Sequence, residues 1–160
     1  MHPKVKPLIS IYEINSRLLI NSFKDVSEEL AINRPNKKIN SMMFILLHTI
    51  DARYVMIKNL GSKTKNPFAE YVNWNNTIDD VKKYPPLKVV LDNWVKLDKV
   101  LKRKLSNLTY NQLKAKLDFD YPGNDEPIIN MISFLAQHEA YHVGQLAMLR
   151  KLLGLSPLSF

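Results

Sequence analysis

A chain of 160 residues without a single cysteine has no disulfide, no thiolate metal ligand and no cysteine nucleophile. With 46% hydrophobic and 24% charged residues, it reads as one soluble globular domain, residues 1–160, large enough to bury a core. The net charge of +8 is spread along the chain, and its densest run (Lys96, Lys99, Lys102, Arg103, Lys104) has neither stacking aromatics nor a glycine-rich phosphate loop, so no nucleic-acid partner is expected.

Four long helices are predicted. Residues 8–30 show helical periodicity through Leu8, Ile11, Tyr12, Leu18, Leu19, Val26 and Leu30, and Pro7 suits the first turn. Asn33-Arg34-Pro35-Asn36 breaks that pattern. Asn40 or Ser41 then caps a second helix that runs to about residue 60 and stops at Gly61. Its inner face carries Phe44, Leu47, His48, Asp51, Tyr54 and Val55. Between 62 and 86 the signals are short: a helical turn over 67–74 and a cap-like Thr77-Ile78-Asp79-Asp80. So long a connection is expected to be a functional or interface loop.

Pro85-Pro86 introduces a third helix over 87–105, with Val90, Leu91, Trp94, Leu97 and Leu101 as its core stripe. Residues 107–124 form a connector whose Leu108, Leu113, Leu117 and Phe119 pack under one end. Asn124, Asp125, Glu126 and Pro127 supply a cap, an acidic first turn and an N-terminal proline for a fourth helix ending near Gly154. No segment alternates convincingly as a strand. The expected fold is all-α, an antiparallel up-and-down four-helix bundle. No apolar run approaches the roughly 20 residues that cross a bilayer, and residues 1–7 lack the apolar core of a secretory signal. A soluble, cytoplasmic protein without a membrane partner is expected.

The inward seam of the fourth helix runs Met131, Leu135, His138, His142, Gln145, Leu149, Leu152. Three polar residues interrupt an apolar stripe, and burying them without partners costs about 1–3 kcal/mol each. Two histidines at i and i+4 face the same way and reach one ion together. A catalytic site of the zinc type uses three protein ligands and one open position. No His, Asp, Glu or Cys follows His142, so the third ligand lies upstream. His2 sits in the N-terminal tail, whereas His48 is mid-helix on an apolar face. The candidate metal ligands are therefore His48, His138 and His142.

Neighbouring residues suggest supporting roles. Gln145 lies one turn beyond His142 and is placed to fix a histidine tautomer. Asp51, one turn beyond His48, is a candidate carboxylate behind the ligands. Gly144 is expected to allow a close backbone approach, Tyr54 and Tyr141 to be core residues with polar tips, and Asp98 to have only a small chance of an inward place. The stretch His138-Glu139-Ala140-Tyr141-His142 satisfies the H-E-x-x-H protease pattern, in which Glu is the general base. Yet the usual downstream third ligand is missing, and on a helix Glu139 points about 100° from His138, so a protease is not expected. Assistance by Glu139 in proton transfer stays open.

A longer match lies elsewhere. The run from His138 through His142, Gln145 and Arg150 to Gly154 resembles the end of the DinB-like superfamily of four-helix-bundle proteins. Earlier segments agree: Asn33-Arg34-Pro35 leading to Asn40-Ser41, Leu47-His48 followed by Ala52-Arg53-Tyr54 and Leu60-Gly61, and the run from Leu105 to Leu113. The resemblance covers about residues 8–155. It implies a metal site made by one histidine on the second helix and a pair on the fourth, which fall on His48, His138 and His142. It also implies a divalent metal such as zinc or nickel, a homodimer, and in some relatives thiol S-transfer or isomerisation with a low-molecular-weight thiol. Three functions follow as expectations: an S-transferase acting on a small-molecule substrate, a metal-dependent hydrolase, or a non-catalytic dimeric binding or structural bundle.

Overall fold

The computed structural model describes residues 2–159 apart from 74, 76, 118, 120 and 124. Among these residues all regular structure is helical: α1 (Lys6–Ser22), α2 (Glu28–Ile32), α3 (Met42–Asn59), α4 (Leu87–Ser106), α5 (Tyr110–Leu113) and α6 (Pro127–Leu152), with a 3₁₀ turn at Ile78–Asp80. Ser41 caps α3 by accepting the Phe44 N–H, as expected. Pro127 opens α6, while the expected cap Asn124 lies outside the described residues, as does Trp74 of the expected 67–74 turn. Leu152 ends α6, and Gly154 beyond it takes φ 74°, the left-handed conformation that glycine tolerates best.

The single helix expected over 8–30 is two. Asp25 takes φ 61°, and short polar side chains enter that region more readily than others. Ser27 then caps α2 by accepting the Leu30 N–H, with Glu28 and Glu29 in its first turn. The connector after α4 likewise holds a short helix, α5, started by Thr109 and Gln112 in a capping box.

The four long helices pack in a ring: α1 against α6, α6 against α3, α3 against α4, α4 against α1. Their directions follow from which residues meet. Along α1 and α6 the pairs Lys4–Glu126, Tyr12–Ile132, Asn15–Ala136 and Ser22–Arg150 climb together, so these helices are parallel. Along α1 and α4, Glu13 meets Lys102 and Ser16 meets Asp98, an antiparallel register. Between α3 and α4, Tyr54 bonds Asn93 and the Leu60 carbonyl accepts from Lys104, so these two are parallel. Between α3 and α6, His48 lies against His138 and His142 while Arg53 lies against Glu139. Ile45 shares a cavity wall with Leu149, which fixes the sense as antiparallel.

The strictly alternating order expected from sequence is thus corrected to up, down, down, up. Parallel neighbours cannot be joined by a tight turn. After α3, a helix of 18 residues and so about 27 Å long, the chain must return to the starting end before α4 begins. Residues 61–86 make that return, which is why the connection is long. On the way they bury Phe68 and Val72.

Trp94, Tyr12, Leu19, Ile50 and Met56 are fully buried at the centre. Among them sits a polar knot that draws on all four long helices. Arg53 of α3 is 1% exposed; it grips Glu139 of α6 and donates to Asp98 of α4 at 3.2 Å and to Ser16 of α1 at 2.7 Å. Its guanidinium lies 3.6 Å from the Trp94 ring centre. Ser16 in turn donates to Asp98. Buried charges persist only when paired and hydrogen-bonded, and here each is both.

Candidate metal centre

His48, His138 and His142 come together, as the helical spacing predicts. His138 Nε2 is 3.1 Å from His48 Nε2 and 3.1 Å from His142 Nε2, and the three offer ligand atoms all within 4.8 Å of one another. Two nitrogens each about 2.1 Å from one ion, at angles between about 90° and 109°, stand roughly 3.0–3.4 Å apart. The observed spacings fall in that interval. The donor set is all imidazole, which suits several first-row divalent metals, and the three histidines are positioned to bind a metal ion.

Packing explains the placement. In α6 the i, i+4 spacing stacks His138 and His142 on the side facing α3. In α3, His48 lies at the boundary between the core and α6. Phe44 stacks at 6.2 Å from His48, and Phe134 at 6.5 Å from His138, so two apolar rings wall the cluster. Tyr121 packs on Phe134 at 5.5 Å, extending that wall. Burial lowers His48 and His138 to about 4, with the neighbouring rings adding to the effect. His142 is lowered by burial as well, against an upward pull from Gln145. All three imidazoles are neutral at pH 7, the form that binds metal.

Gln145 stands where the sequence placed it. Its Oε1 is 2.7 Å from His142 Nδ1. A carbonyl oxygen only accepts, so Nδ1 carries the proton and Nε2 turns a lone pair to its partners. The amide nitrogen of Gln145 donates to the Tyr141 hydroxyl at 3.0 Å. Asp51 is buried and accepts from Asn66 at 2.7 Å, which ties the segment after α3 to the helix one turn beyond His48.

Several expectations are corrected. Glu139 is 1% exposed and accepts from both Nε and Nη2 of Arg53, on the core side of α6. Burial pushes its carboxyl up while Arg53 draws it down, and an acid so enclosed reaches no substrate. Tyr141 is 63% exposed, not a core residue. Leu152, placed on the seam, is 53% exposed. Gly144 makes no close approach: a Cβ there meets nothing within 4 Å. Asp98, given little weight at the outset, does face inward onto Ser16 and Arg53. Tyr54 is buried with its hydroxyl on Asn93, as expected. Sequence reasoning passed over Arg53, whose one signal was a charge set among Ile50, Tyr54, Met56 and Ile57.

No helix among the described residues is long and apolar enough to cross a membrane. Searches of curated proteins and of solved structures returned no match to this chain. The sequence model of the DinB superfamily matches residues 11–146, from within α1 to one turn past His142 in α6. That span takes in His48, His138, His142 and Gln145, and well over half the sequence: the chain belongs to the DinB superfamily.

Proposed function

We propose that His48, His138 and His142 hold one divalent ion, zinc or nickel, and that the protein is a metal-dependent enzyme for a small molecule, an S-transferase using a low-molecular-weight thiol. The observation that carries this reading is the convergence of three imidazole nitrogens from two helices of a four-helix bundle, within 4.8 Å of one another. When bound, a divalent ion with three neutral ligands supplies undiminished positive charge, which lowers the pKa of an adjacent thiol or water.

The chain's own residues do the rest. The histidines present lone pairs without first losing a proton. Gln145 fixes the tautomer of His142, and Asp51 anchors the neighbouring segment through Asn66. Phe44 and Phe134 keep water from two sides of the cluster. With no cysteine in the chain, the thiol comes from solution. It releases its proton to solvent, its sulfur bonds to an electrophilic carbon of the substrate, and the leaving group departs with the electron pair of the bond that breaks. Glu139 takes no part in this, being committed to Arg53. The exposed Tyr141, Met148 and Leu152 along one side of α6 support a homodimer, and a cysteine-free composition suits the cytoplasm.

The test is a panel of low-molecular-weight thiols with a chromogenic electrophile, run on metal-loaded protein beside thiol-free assays of small esters and amides. Turnover that requires both thiol and metal supports the proposal. Turnover of the esters or amides without thiol turns it to hydrolysis, and bound metal without any turnover turns it to a binding or structural role.

A further inference from the structure

The return segment after α3 and that helix together line a half-open hollow of about 490 Å³, within the size range of small-molecule pockets. Its inner wall is Asp51, Tyr54 and Val55 of α3, and its rim carries Lys58, Lys63 and Lys65. Three cations thus surround a space with one carboxylate, and that carboxylate already accepts from Asn66. Among the described residues no ion pair involves any of the three lysines.

The loop bearing them is built rather than slack. Gly61 turns the chain at φ 78°, the Ser62 N–H returns to the Ile57 carbonyl at 2.9 Å, and Ser62 Oγ accepts the Thr64 N–H. Asn66 then holds Asp51 with its amide nitrogen and the Phe68 N–H with its oxygen. Asp51 follows His48 by three residues, a rise of about 4.5 Å along α3. The near end of the hollow, at Asp51, thus starts about one helical turn from His48.

We propose that this hollow binds the anionic head, carboxylate or phosphate, of the small molecule on which the site acts, with Tyr54 and Val55 against its uncharged body. The proposal rests on the metal-site reading for its purpose, but not for its measurement. Binding of inorganic phosphate and of succinate is followed by amide chemical shifts in the full-length protein at low salt. Saturable shifts at residues 58–66 with at least one probe, weakened about tenfold by Lys63→Gln with Lys65→Gln and reduced by added salt, are expected. The tighter probe identifies the head group.

No saturation at millimolar concentration with either probe, or equal binding by the doubly substituted protein, overturns the proposal. The same titration on His48→Ala, with metal content measured alongside, separates the two ideas. Anion binding kept while metal is lost supports both. Anion binding in a chain that holds no metal even as wild type leaves the hollow standing and removes the metal reading.

Discussion

Arg53 grips Glu139 with two donors on one edge of its guanidinium, Nε to Oε2 at 2.7 Å and Nη2 to Oε1 at 2.8 Å, with both side chains 1% exposed. This pair joins α3 to α6 beside the histidines that the same two helices contribute. It also explains why an H-E-x-x-H string is not a protease motif here: the glutamate faces a guanidinium in the core. Cutting one partner strands a buried charge, a loss of about 3–5 kcal/mol. Arg53→Met alone and Glu139→Leu alone are each expected to destabilise by that amount in urea denaturation. The double substitution is expected to recover part of the loss, because it removes the stranded partner while Asp98 keeps Lys102 at 3.1 Å and Ser16. Additive losses in the double variant would refute the account of the pair.

Gln145 is expected to govern metal affinity without holding the fold. Partners that orient a ligating histidine are typically worth 10–100-fold in affinity, so Gln145→Ala should weaken metal binding by about that factor. Its unfolding midpoint without metal should stay close to that of the wild type. Competition with a chromogenic chelator measures the first and thermal melting the second; unchanged affinity would show that the Gln145–His142 bond does not tune the ligand.

The depressed histidines make a signed pH prediction. Folded His48 and His138 titrate at about 4, against about 6.5 in the unfolded chain. Between those values the unfolded state binds more protons, so stability falls as pH drops from 6.5 toward 4 and levels off below. Urea denaturation of metal-free protein across that range should show the slope, and His48→Gln with His138→Gln should flatten it. Metal affinity should fall as the pH drops through the range in which these histidines take up protons.

Gly144→Ala separates packing from habit. The position is exposed, mid-helix and open around its missing Cβ. Alanine there should raise stability by about 0.5–1 kcal/mol and leave metal binding unchanged. Gly144 shares the side of α6 that carries Tyr141 and Met148, so a loss of stability on melting would mean that a second copy packs closely against that face.

The site was easier to read in the sequence than the topology. The i, i+4 spacing of His138 and His142 fixes their shared direction before any tertiary contact exists, and His48 stood out as a polar residue on an apolar face. Helix directions had no such local signature. Whether α3 and α4 run parallel is decided by where residues 61–86 travel, and their length, the one clue, was assigned to function instead. Arg53 was hidden for a related reason. Nothing in the order of residues says that Ser16, Asp98 and Glu139, drawn from three other helices, converge on it. Conversely, Ser27 with Glu28 and Glu29 did carry a legible helix start, overridden by an apolar periodicity that runs through Val26 and Leu30.

The central claim is that one ion sits among three imidazoles supplied by α3 and α6. Elemental analysis of protein purified without a histidine tag, set beside His48→Ala handled identically, tests it most directly. The account predicts about one equivalent of zinc or nickel per wild-type chain and almost none in a variant that remains folded. A wild-type chain that takes up no divalent metal, or a His48→Ala chain that keeps its full equivalent, would contradict it.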